Sequence, residues 1–84
     1  MRFYMVSEVM EINGVGSYTT NNNQVKEKME ALDFFISRRK MLIETKDVKV
    51  LKDMYLESKS YGVVKVELSD GNTIELTMSK LILV

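Results

Sequence analysis

The sequence has no cysteine and no histidine. The first absence excludes disulfides, a thiolate nucleophile and Cys-based zinc sites, and the second removes the usual proton shuttle and the commonest metal ligand. Proline is missing too, and neither sign of charge predominates, since 12 basic residues against 12 acidic ones leave a formal net charge of zero. Neutrality argues against a dedicated nucleic-acid binder, because such proteins draw most of their affinity from clustered Lys and Arg that displace counterions from phosphate. By segment the charge is −1 over residues 1–22, +2 over 23–40, zero over 41–60 and −1 over 61–84. The basic excess is small and confined to one segment.

Long hydrophobic runs are also absent. Leu81-Ile82-Leu83-Val84 and the stretch at Phe34-Phe35-Ile36 fall far short of the roughly 18–20 residues that cross a bilayer. The start, Met1 to Glu8, meets an acid before any apolar stretch of the length of a secretory signal can form. A cytoplasmic protein with no membrane partner is the expectation. What is present is a hydrophobic fraction of 45% in 84 residues, enough to build a core in one domain over residues 1–84.

Tyr4, Val6, Met10 and Ile12 lie on one face of an extended segment and Phe3, Met5 and Val9 on the other. Asn13-Gly14 is a strong two-residue hairpin signal, so a hairpin of about 3–12 and 15–20 is expected, with Gly16 marking a bulge or a close approach of backbone. Asn21-Asn22-Asn23 offers helix caps, and Val25, Met29, Leu32 and Ile36 recur at helical spacing with Phe35 beside them. A helix over about 23–38 follows, closed by Arg38-Arg39-Lys40 at the negative end of its dipole. Residues 41–58 fit a strand plus a helix, two strands or an extension of the first helix. The preferred reading is a strand at Met41–Thr45 and a short helix over about 47–58, capped by Asp47, with Val48, Leu51, Met54 and Tyr55 on one side.

Val64, Val66 and Leu68, then Ile74, Leu76 and Met78, alternate with polar residues as two half-buried antiparallel strands. Keeping all six on one face demands an odd-numbered loop, and Asp70-Gly71-Asn72 with Asn72 left-handed sets Leu68 opposite Ile74. The fold class expected is α+β, an antiparallel or mixed sheet built from the two hairpins with helices on one face.

No residue set points to catalysis, a cofactor or a metal. Gly14-Val15-Gly16 lacks the third glycine and the lysine of a phosphate-binding loop, and the hairpin explains it. Asp70-Gly71-Asn72 lacks the spaced acids of a calcium loop. Glu8, Glu11, Glu67 and Glu75 read as solvated surface rather than as convergent ligands. Met29, Met54 and Met78, three of seven methionines, read as core filling. The surplus apolar surface at Phe3, Met5 and Val9, with the end Leu81, Ile82, Leu83 and Val84, is the candidate protein interface. By elimination the expected function is a small non-enzymatic interaction or regulatory module whose protein partner is a second copy of itself. The alternative is a nucleic-acid-binding regulator using Lys26, Arg38, Arg39 and Lys40, although cations at a helix end ordinarily serve the dipole.

Overall fold

Apolar and polar residues alternate along Tyr61–Glu67 and Thr73–Ile82, so each segment can bury one face of an extended strand. The computed structural model, which describes residues 2–82, builds an α+β fold on that pair. Among the described residues the order is β1 (Arg2–Ile12), β2 (Gly16–Val25), α1 (Lys28–Glu44), β3 (Lys49–Leu56), a 3-10 turn at Glu57–Lys59, β4 (Tyr61–Glu67) and β5 (Thr73–Ile82). The strands form one sheet in the order β2-β1-β5-β4-β3, and every pairing is antiparallel. β1 therefore joins the two hairpins by lying against β5 from Arg2↔Ile82 to Glu11↔Thr73.

Helix α1 connects the two edges of the sheet by crossing one of its faces. Its 17 residues extend about 25 Å, and four strand spacings measure about 19 Å, so one helix reaches across the whole sheet. Beneath it Tyr4, Val6, Val64, Val66, Leu76 and Met78 form the core with Ala31, Phe35 and Leu42 of the helix. Ala31 lets the helix approach closely. Phe35 lies on Gly62, where an added Cβ would sit 2.7 Å from the ring, so this position takes no side chain.

Several expectations are corrected. The Asn13-Gly14 hairpin closes at Ile12↔Gly16 with Val15 also in the loop, and Val15 donates to the Ile12 carbonyl at 3.0 Å. Its bulge falls at Thr20, skipped between Glu8↔Asn21 and Val9↔Thr19, and not at Gly16. Asn21, Asn22 and Asn23 pair with β1 instead of capping a helix, so α1 starts at Lys28 and runs to Glu44. This places Arg38, Arg39 and Lys40 within the helix rather than at its end. The buried stripe is rotated as well, leaving Met29 and Ile36 exposed.

The segment read as a second helix is strand β3, and Met41–Ile43 extend α1. Asp47 caps nothing and adopts a left-handed turn conformation, φ 64°. At the C-terminal hairpin Val64, Val66, Ile74, Leu76 and Met78 keep a common face, while Leu68 falls outside β4, and Val66 faces Ile74 and Val64 faces Leu76, two residues from the expected register. The loop is odd-numbered, closed by Leu68 donating to the Asn72 carbonyl at 2.8 Å. Gly71, at φ 89°, is its left-handed residue, because glycine reaches that region without steric cost and Asn72 does not have to.

Candidate interaction surface

Side chains alternate along a strand, so the residues between the core positions point away from α1. Register places Phe3 beside Leu81, Met5 beside Ser79, and Ser7, Thr77, Val63 and Met54 in one cross-strand row. Leu56 and Tyr61 pair at the β3–β4 end of the same face. Farther along, Val9 pairs with Glu75, and Glu75, Lys65 and Lys52 follow one another across β5, β4 and β3. One half of this face is thus apolar around a strip of Ser and Thr, and the other half is charged. Among the described residues no element covers it.

Phe3, Met5, Val9 and Leu81 of the expected interface share this face. Ile82 pairs with Arg2 and points to the helix side, where it is 66% exposed, so it does not join them. Leu83 and Val84 lie outside the described residues. Sequence reasoning missed Val63, Met54, Leu56 and Tyr61. The available signal was Tyr61-Gly62-Val63-Val64, an uninterrupted apolar run that serves both faces of β4. Val63 is 3% exposed although it faces away from the helix, which marks the middle of the apolar half as already dry.

The basic residues do not gather. Arg38 reaches β1, where its Nε and Nη2 donate to Glu8 Oε1 at 3.0 and 2.6 Å, and Thr20 donates to Glu8 Oε2 at 2.7 Å. Glu8 is buried by this arrangement, so it is a partner of the helix and not the solvated carboxylate expected. The bulge at Thr20 is what aims that hydroxyl at it. Arg39 reaches the other way, to β3, donating from Nε and Nη2 to both oxygens of Asp53 at 2.9 and 2.6 Å. These hydrogen bonds hold the Asp53 carboxyl below its ordinary value, against the opposing effect of desolvation, and raise Arg39 above its own.

Glu8, Leu76, Val64 and Asp53 occupy one row across the sheet. Two adjacent arginines therefore grip carboxylates about 14 Å apart, three strand spacings, and straddle the core between them. Of the candidate nucleic-acid residues, Lys26 and Lys40 are exposed and Arg38 and Arg39 are neutralised within the fold.

No group of three or more carboxylates among the described residues could hold a metal. Gly14 takes positive φ in the hairpin loop and Gly16 in the pair that closes it, so the hairpin accounts for both glycines. The Asp70-Gly71-Asn72 segment is used structurally, with Asn72 accepting from the Asn13 backbone at 3.1 Å and donating to Asp70. No helix among the described residues is long and apolar enough to cross a membrane. Comparison of the chain with protein-family models, with curated proteins and with solved structures finds no match.

Proposed function

We propose that the protein is a small cytoplasmic, non-enzymatic interaction module that associates with a second copy of itself through the open face of its sheet. The observation that carries this reading is the segregation of Phe3, Met5, Met54, Leu56, Val63 and Leu81 onto the apolar half of a face that no element among the described residues covers. Two such faces pack about 10 Å apart and interdigitate as the inner layers of a sandwich. The Ser7, Thr77 and Ser79 strip lets the flanking apolar side chains of a partner approach closely, and the charged half at Lys65, Glu75 and Lys52 remains as a polar rim. Five strands and the seven residues from Phe3 to Val9 span an area on the order of 500 Å². That is less than the roughly 800 Å² per partner of a standard interface, so the association is concentration-dependent and regulatory in character.

Sedimentation equilibrium over a wide micromolar range tests it. The wild type gains mass with concentration, and Met5→Lys, which places a charge in the apolar half without touching the core, loses the gain. A Met5→Lys chain that associates as the wild type does removes the open face from the account.

A further inference from the structure

The open face is divided from side to side in size and in charge. Within its apolar half, the β1–β5 side carries Ser7, Thr77 and Ser79 beside Met5. The β4–β3 side carries only bulky residues, Val63, Met54, Tyr61 and Leu56. In the charged half, Glu11 and Glu75 lie on the β1–β5 side, and Lys49, Lys52 and Lys65 on the β4–β3 side with Glu67 alone against them. The two sides therefore hold −2 and +2. Among the described residues, none of these groups takes part in an ion pair within the chain.

A face stacked on a copy of itself by two-fold symmetry has the axis in the plane of contact. An axis running across the strands lays the apolar half of one chain on the charged half of the other, and a diagonal axis mixes the halves. Only an axis along the strands sets apolar half on apolar half, in the aligned packing of a sandwich. Such an axis exchanges the sides, so small residues meet bulky ones and acids meet lysines.

We infer that the second copy docks about a two-fold axis parallel to the strands, running between β5 and β4. The arrangement rests on the open-face association proposed above and fixes how the partner sits in it. That line is the middle of the four strands that carry the apolar residues, since β2 presents only Gln24, Asn22, Thr19 and Ser17 on this side. Each β5 then lies over β4 of the other copy and each β1 over β3. Thr77 meets Val63, Ser7 meets Met54 and Met5 meets Leu56, which lets the two layers interdigitate at a spacing of about 10 Å. At the charged end Glu75 meets Lys65 and Glu11 meets Lys49, which favours this register over others.

Charge reversal and a crosslink test the arrangement. Glu11 and Lys49 lie three strand spacings apart in one chain, about 14 Å, so they meet only across the contact. At low salt Glu11→Lys and Lys49→Glu are each expected to self-associate on the order of tenfold more weakly than the wild type. An equimolar mixture of the two is expected to recover the wild-type strength as a mixed pair, read by sedimentation. Because the chain has no cysteine, Ser7→Cys and Met54→Cys each supply a lone thiol. A short bismaleimide is expected to join a Ser7→Cys chain to a Met54→Cys chain and to join neither to its own kind, since like thiols stand about 14 Å apart. Either a mixture as weak as its parts or like thiols that crosslink as well as unlike ones overturns this arrangement. The open face still stands in that case if Met5→Lys abolishes the association, whereas a wild type that stays monomeric over the micromolar range overturns both.

Discussion

Glu8 and Arg38 are unequal partners. The Glu8 side chain is 6% exposed and that of Arg38 is 31% exposed, so removing one differs from removing the other. Arg38→Leu leaves a buried carboxylate with only Thr20 to hold it, and breaking a buried pair in this way costs about 3–5 kcal/mol. Glu8→Leu removes the buried charge itself, and the freed guanidinium can turn toward water, so the cost is expected to be within about 1–2 kcal/mol of zero. Urea unfolding of the two variants measures the difference, and equal losses would show that the pair is not the asymmetric contact described. Arg39 and Asp53 differ by being more exposed, 41% and 35%, and their link is read through pH. The Asp53 carboxyl titrates lower in the folded chain than in the unfolded one. Its contribution is therefore full above the unfolded value of about 3.9 and is lost as the pH falls through the folded value. Arg39, raised rather than lowered, stays charged throughout that window. Wild type is expected to exceed Asp53→Asn in Tm by a constant margin above about pH 5, with the margin closing below about pH 4. A margin that persists at acid pH would contradict this.

At the scale of elements, the strands around Val64, Val66, Leu76 and Met78 were legible because strict alternation has a single physical reading when one face is buried. β3 was not legible, and its bulge explains why. Val50 pairs with Val66 and Lys52 with Lys65, so Leu51 is an extra residue, and one insertion turns a period of two into apolar spacings of three and four at Val48, Leu51 and Tyr55. That spacing is the signature of a helix. The Asn triplet misleads for a different reason, since asparagine favours caps and turns locally and pairing with β1 overrides that preference. The helix stripe was misread because its buried side is carried by only Ala31, Phe35, which lies over a glycine, and Leu42, flanked by two arginines whose carboxylates lie on other elements. For the surface, Phe3, Met5, Val9 and Leu81 could be read from two-sided apolar strands. Val63 was within reach through the apolar run of β4, whereas Met54 and Leu56 were not, because their assignment depends on β3 being a strand.

The whole molecule is a slab of 41 × 25 × 16 Å, a thickness that holds one sheet and one helix and no third layer. A sheet with apolar residues on both sides and a helix on only one leaves part of its hydrophobic surface in water, and burial of that surface is the driving force of the association proposed. The methionines report on it from several positions. Met5 and Met54 lie on the open face, Met78 is buried in the core, and Met29 and Met41 are exposed on α1. Methionine methyl NMR across a dilution series of the wild type is the most direct measurement. The account predicts that the Met5 and Met54 signals move with concentration while those of Met29, Met41 and Met78 stay in place. Movement of Met29 and Met41 with Met5 and Met54 unmoved, or no movement at all, would contradict it.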